Sequence, residues 1–231
     1  MANTAQASEP AIVRAWKAIC PWSLLAFAVL AVQAHQHPYF NWDLWIATRL
    51  QRLTSLSLVM QLVSAPGYGW RGFVLTGATV LILVFAGRRG WAGFLIASTG
   101  VGDLVNLLAK RIVGRPRPSP GLVAVAHHLT DPSFPSGHVM FYCCYCGFLL
   151  FVACLEPKRS AAFKLAMAIL AAIPIVLVGP SRVYLGEHWP SDVIGGYLLA
   201  GAWLPLVFAA YWRWQSRSID AKHAQRGMAP R

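Results

Sequence analysis

"AIPIVLVGPSRVYLGEHWPSDVIGGYLLAGAWLPLVFAAYW", residues 172–212, decides how the rest of the chain is read. Two apolar runs flank a short polar insert in which Arg182, Glu187, His188 and Asp192 crowd together, although the protein has only 8 acidic residues among 231. Roughly 20 apolar residues of helix cross a hydrocarbon core about 30 Å thick. The insert therefore reads as the mouth of two membrane helices. Ionisable groups at such a depth are costly and point to function.

Working outward, similar apolar runs recur at about 18–35, 70–87, 91–110, 136–155, 162–179 and 192–212. The composition agrees: the chain is 57% hydrophobic and 12% charged, whereas a soluble domain carries roughly a quarter charged residues. The expected fold is an all-α, integral membrane bundle of six transmembrane helices. Residues 1–17 form a cytoplasmic tail, 18–212 the membrane domain and 213–231 a basic cytoplasmic tail. Arg14 and Lys17 ahead of "WSLLAFAVLAVQA" also suit a secretory signal peptide, but a retained helix is preferred because the bundle otherwise loses a wall. Between the first two runs, the stretch beginning "NWDLWIATRLQRL" is amphipathic, with Trp42, Trp45 and Trp70 as interfacial anchors, and is expected to lie along the membrane surface.

The formal net charge of +12 would raise nucleic acid as a partner for a soluble protein. Here lipid headgroups explain it better, and no nucleic-acid-binding motif is present. With the N-terminus cytoplasmic, most Lys and Arg fall on the cytoplasmic side. Arg49, Arg52, Arg71, Lys110, Arg111, Arg115, Arg117 and Arg182 fall on the other. The five cysteines read as small buried side chains, since Cys143, Cys144, Cys146 and Cys154 lie within one apolar run.

Three polar clusters meet on that second face. "KRIVGRPRP" (110–118) ends the third run, and Pro116 and Pro118 stiffen it so that Arg115 and Arg117 are aimed. Alone, it is also an ordinary snorkelling basic turn. "SFPSGH" (133–138) opens the fourth run. Ser136 is a candidate N-cap, and the amides of Gly137 and His138 with the helix dipole suit an anion. In the third cluster Pro190 starts the sixth helix, so Asp192 can accept a hydrogen bond from one nitrogen of His188 and leave the other directed outwards. A helix-capping pair is the commonplace alternative. The spans between the clusters return all three to one boundary, and that coincidence favours a functional site over three separate commonplace turns.

Lys110, six residues, then Arg117-Pro118; Pro135-Ser136-Gly137-His138; and Ser181-Arg182, five residues, His188, three residues, Asp192 together resemble the signature of the type 2 phosphatidic acid phosphatases, the lipid phosphate phosphatase superfamily. The resemblance covers about residues 90–212. It implies six helices, an extracytoplasmic site and metal-independent hydrolysis of a lipid phosphate or diphosphate through a phosphohistidine. By the same resemblance His188 is the nucleophile, Asp192 orients it and His138 is the general acid. Lys110, Arg117, Arg182, Ser136 and the Gly137 amide hold the phosphate. Soluble vanadium haloperoxidases are similar at these motifs, but the apolar spans argue against them.

The chemistry is coherent on its own terms, because phosphoryl transfer needs an in-line nucleophile, compensating positive charge and a proton for the leaving oxygen. The acids are scattered along the chain, so three cations are a simpler source of charge than paired metals, and no cofactor is expected. Asp103, seven residues before Lys110, is either a buried partner of the site or a polar group facing a wet cleft. His127 and His128 lie in the covering loop, Glu187 has no assigned role, and Gly195, Gly196 and Gly201 suit close helix packing. The expected substrate is phosphatidate, phosphatidylglycerophosphate, a polyprenyl diphosphate or lipid A, in a bacterial inner membrane. A phosphotransferase and a non-catalytic headgroup binder are the competing functions.

Overall fold

The computed structural model describes residues 10–156 and 159–227; residues 1–9 of the N-terminal tail, 157–158 and 228–231 lie outside the described part. Helices α1 (Ala11–Gln36), α2 (Asn41–Gln51), α3 (Ser57–Ser64), α4 (Trp70–Phe85), α5 (Arg89–Ile96), α6 (Gly102–Val113), α7 (Gly137–Leu155), α8 (Ala161–Tyr184) and α9 (Pro190–Gly227) follow in order. Among the described residues there is no strand. A π-helical turn, Ala97–Val101, joins α5 to α6, so the two make one span, Arg89–Val113.

Five helices are long and apolar enough to cross a membrane, and a sixth span results if the bent pair Thr54–Gly67 and Trp70–Phe85 counts as one. The amphipathic stretch between the first two apolar runs forms α2 and α3, with Trp42, Trp45 and Trp70 exposed; α3 packs along α8, and the polar side chains of Asp43 and Ser64 turn inward and are buried. Helix extends beyond the apolar runs at both ends: α1 already includes residues 11–17, and α9 runs through residue 212 without a break into the basic segment that follows.

α7 lies at the centre, against α8 and α9, while α1 packs along α9. Its face carrying Val139, Met140, Cys144, Phe148 and Phe151 meets Leu204, Phe208 and Tyr211 of α9 in the main core. Phe151 stacks on Phe208 with centroids 4.0 Å apart. The segment that also suited a signal peptide is a wall of this bundle: Trp16 meets Phe208 edge-on and Phe27 stacks on Phe134. Outward-facing Trp22, Leu25, Phe73, Phe85, Ile112 and Leu170 are exposed, as suits a lipid-facing surface. Backbone approach at the α9 interface explains its glycines. A Cβ on Gly196 would stand 2.9 Å from the Ser136 carbonyl oxygen, one on Gly201 2.9 Å from Ser23 Oγ of α1, and one on Gly195 2.4 Å from the Phe134 ring. The cysteines are unpaired thiols, with Cys143 and Cys144 buried.

Candidate active site

Four helix ends and one corner converge at one end of the bundle. α6 stops at Gly114, whose left-handed backbone (φ 65°) lets its N–H bond back to the Lys110 carbonyl at 2.9 Å. The chain then crosses the bundle end as an extended loop, residues 114–136. It is pinned by the Ser133 N–H to the Arg115 carbonyl (2.7 Å) and the Ala126 N–H to the Leu185 carbonyl (2.9 Å). The turn between α8 and α9 needs glycine at 186: φ is +65°, and a Cβ there would overlap the Ala124 carbonyl.

A cavity of about 580 Å³ opens between these elements, and Lys110, Arg117, Gly137, His138, Arg182 and His188 all line it. His188 is 2% exposed, with Nε2 3.4 Å from Arg117 Nη1. Burial, and then the charges of Arg117, Lys110 and Arg182, hold its pKa well below the ordinary histidine value. The imidazole is therefore neutral at pH 7. His138, in the first turn of α7, packs edge-on against Tyr68 with centroids 4.8 Å apart. Its Nε2 has no hydrogen-bond partner in the protein.

The cations are held rather than loose. Lys110 Nζ bonds Asp131 Oδ2 at 2.8 Å and also the Pro132 carbonyl. Arg117 donates to Asp131 Oδ1 (2.9 Å), to the Asp131 carbonyl (2.8 Å) and to the Glu187 carbonyl (2.5 Å). Asp131 thus bridges two of the three cations. Burial alone would raise its pKa, but Lys110 and Arg117 outweigh that and leave it below the usual carboxylate value. Arg182, fully buried, pairs with Glu187 Oε2 and donates to Ser64 Oγ at 3.1 Å.

Asp192 does more than the sequence suggests, and does it differently. Its Oδ1 accepts from Arg115 (2.6 Å), while Oδ2 accepts from the Trp189 amide (2.8 Å) and from Ser133 Oγ. His188 Nδ1 stands 3.6 Å from Oδ2, beyond hydrogen-bond distance, and has no other partner. Asp192, in the first turn of α9, therefore braces the start of that helix through the Trp189 amide and is also the nearest carboxylate to the imidazole. Ser136 occupies the N-cap position of α7, but its side chain makes no capping bond. Its Oγ is buried and unpartnered, behind the cavity wall rather than on it. Asp103 lines the cavity as an exposed carboxylate, so the wet-cleft alternative describes its position; Lys110 bonds elsewhere.

Several residues escaped the sequence reading. Arg115 and Arg117, both expected to be held in place by the prolines, part company. Arg115 is buried away from the cavity against Asp192, Asp43 (3.0 Å) and Ser191 Oγ (2.6 Å). Asp43 in turn accepts from the Ser191 amide at 2.8 Å, tying α2 to the start of α9. Asn106, one turn before Lys110, is buried in the cavity wall with Nδ2 unpartnered. Glu187 has a role after all, accepting from Arg182, from Tyr68 Oη and from His127 Nδ1 at 2.8 Å. His128 stays exposed in the loop. A lone acid within a Trp-rich amphipathic stretch was the one available signal for Asp43; nothing local marked Tyr68.

Unpartnered buried polar atoms concentrate here, namely Asn106 Nδ2, Ser136 Oγ, His138 Nε2, Arg182 Nε and His188 Nδ1. Buried polar groups are otherwise nearly always satisfied. Three cations and the N-terminus of α7 around one cavity suit an anionic, phosphate-like group.

Comparison with known proteins agrees. Residues 91–216 match the PAP2 superfamily. The chain is 30% identical over 196 residues to the undecaprenyl-diphosphatase of Sulfolobus acidocaldarius, covering 83% of this chain and 88% of that one. It is 30% identical over 190 residues to phosphatidylglycerophosphatase B of Bacillus subtilis, covering 76% and 86%. Its fold superposes on the crystal structure of a transmembrane PAP2 type phosphatidylglycerolphosphate phosphatase from Bacillus subtilis with a TM-score of 0.68 at 26% identity, covering 83% of this chain and 94% of the other. With the apolar helices, the cation-lined cavity and this similarity over most of its length, the chain belongs to the PAP2 superfamily of membrane lipid phosphatases.

Proposed function

We propose that the protein hydrolyses a lipid phosphate or diphosphate without a metal, through a phosphohistidine on His188, at the extracytoplasmic membrane face. The observation that carries this reading is the position of His188: its Nε2 meets Arg117 at 3.4 Å in a cavity wall that also holds His138.

In the first half-reaction Nε2 attacks phosphorus in line, the N–P bond forms and the P–O bond to the lipid breaks. Lys110, Arg117 and Arg182 compensate the charge on the equatorial oxygens, with the Gly137 amide at the positive end of α7. His138 gives its proton to the departing oxygen. Asp192 faces Nδ1 and stabilises the proton that Nδ1 carries once Nε2 bonds phosphorus. In the second half-reaction water attacks the phosphohistidine, His138 takes the water's proton, and inorganic phosphate leaves. Among the described residues no three His, Cys, Asp or Glu side chains gather as a metal-ligand set, and the three cations supply the charge that a metal pair supplies elsewhere.

The loop charges favour a cytoplasmic N-terminus and hence an extracytoplasmic site. The relatives' names make polyprenyl diphosphates and phosphatidylglycerophosphate the first substrates to try. The test is phosphate release by the purified protein in mild detergent over a panel of lipid mono- and diphosphates, with EDTA present and absent. Turnover that survives EDTA and vanishes in His188→Ala is the expected result. Loss of turnover in EDTA would overturn the metal-free route.

A further inference from the structure

We infer that Tyr68 and Glu187 form a clamp that positions Arg182, Arg117 and His138 for the transfer, an assignment that rests on the reading of the site just given. Neither residue belongs to the three sequence clusters as phosphate ligand, nucleophile or acid. Tyr68 also precedes residue 91, where the family match begins.

Glu187 holds two of the three cations by two different groups. Its carboxylate, 0% exposed, pairs with Arg182 Nη2, while its backbone carbonyl accepts from Arg117 Nη1 at 2.5 Å. It is also the residue next to His188, so the nucleophile and both guanidinium groups share one short stretch of backbone. A buried guanidinium needs a charge partner, and its planar fork turns as a unit. With Nη2 on Glu187 and Nη1 on Ser64 at 3.1 Å, the plane of Arg182 is set. Nε is then left without a protein partner in a residue that lines the cavity.

Tyr68 supplies the third contact. It lies at the corner where the chain bends by 62° between Thr54–Gly67 and α4. Its ring covers the Arg182 guanidinium, with Cζ 4.8 Å from the centroid, and meets the His138 imidazole edge-on at 4.8 Å. The hydroxyl donates to Glu187 Oε1, which fixes the ring in that place. Gly67 beside it brings the corner backbone so close that a Cβ would stand 2.5 Å from His138 Cδ2. One hydroxyl–carboxylate bond thus couples the general acid to the phosphate-holding arginine.

The experiment measures turnover of two substrates differing in leaving group, inhibition by inorganic phosphate and thermal stability in Tyr68→Phe, Tyr68→Leu, Glu187→Gln and the Tyr68→Phe/Glu187→Gln double variant. Glu187→Gln is expected to weaken phosphate inhibition about tenfold or more, the scale of a lost charged hydrogen bond, irrespective of leaving group. Tyr68→Leu is expected to cost more on the poorer leaving group, as interference with His138 requires. Tyr68→Phe, which keeps the ring, is expected to restore most of that leaving-group effect. The double variant is expected to lose less than the product of its two single losses, because both cut one bond. A drop in melting temperature with unchanged phosphate inhibition and equal losses on both substrates would mean a merely structural role and overturn the clamp, as would activity within about twofold of the parent in every variant, well short of that lost-bond scale. His188→Ala serves as control: hydrolysis surviving in it overturns the reading of the site, whereas an inactive His188→Ala beside unaffected clamp variants overturns the clamp alone.

Discussion

Asp192 Oδ2 stands 3.6 Å from His188 Nδ1 because the carboxylate is already engaged by Arg115, Ser133 and the Trp189 amide. A small approach of the imidazole would close that gap, and catalytic hydrogen bonds are often long until substrate is bound. Asp192→Asn keeps the shape but removes the charge that stabilises protonated Nδ1. Turnover is expected to fall at least about a hundredfold, the scale on which such electrostatic partners act, with a lower melting temperature from the weakened Arg115 pair. Activity within a few-fold of the parent would leave Asp192 as a brace for the start of α9 only.

Arg115 and Asp43 are fully buried and far more structural than their neighbour Arg117. Breaking a buried ion pair by removing one partner costs about 3–5 kcal/mol. Asp43→Asn is therefore expected to lower the melting temperature in detergent markedly, while the fraction that remains folded keeps its sensitivity to inorganic phosphate. Weaker phosphate inhibition in that folded fraction would bring Asp43 into the site itself.

His138 is assigned the leaving-group proton, so its loss should matter in proportion to how badly that proton is needed. His138→Ala is expected to cost about 10²–10⁴-fold on a lipid phosphate, the range of general acid catalysis, and much less on an aryl phosphate with a good leaving group. Equal losses on both substrates would remove the acid role.

The pH profile follows from His188. Its pKa in the folded protein lies well below the ordinary value, first through burial and then through Arg117, Lys110 and Arg182. The neutral, nucleophilic form therefore persists as pH falls through about 6.5. The acid limb of kcat/KM, corrected for substrate ionisation, is expected below that value. The sign for stability matches: the folded state excludes a proton that the unfolded chain takes up. This contribution is complete above the unfolded value and is lost as pH drops towards the folded one. A melting-temperature series from pH 8 to pH 5 reads this directly.

Asp131 bridges Lys110 and Arg117 with its two oxygens, at 2.8 and 2.9 Å, and so competes with an incoming phosphate for both. Asp131→Asn is expected to strengthen inhibition by inorganic phosphate several-fold. Weaker inhibition would instead make Asp131 a scaffold for the two cations.

The three clusters were legible because each pairs unusual chemistry with a local rule. Gly114 ends a helix after Lys110, Ser136-Gly137 begins one and Pro190 begins another, so helix ends and polar residues announce each other in sequence. Their convergence was also legible, since an apolar span can only carry the chain from one face to the other. The first span and the tails were less so: α1 and α9 run on past the apolar stretches, because polar residues continue a helix as readily as end one when no breaker intervenes.

What only the tertiary structure decided is which partner each charge takes. Arg115 and Arg117 are two residues apart and alike in composition, yet one faces Asp43 and Asp192 and the other faces His188. Glu187 pairs across a turn with Arg182 and across the bundle with Tyr68. The amphipathic stretch before residue 70 shows a polar face in its periodicity, but only the fold shows that Asp43 and Ser64 on it are buried against α9 and α8. Sequence determined where the polar groups enter the membrane. The pairing of those groups depends on distances across helices remote in the chain, and burial makes each pairing obligatory, because an isolated charge in that interior has no solvent to stabilise it.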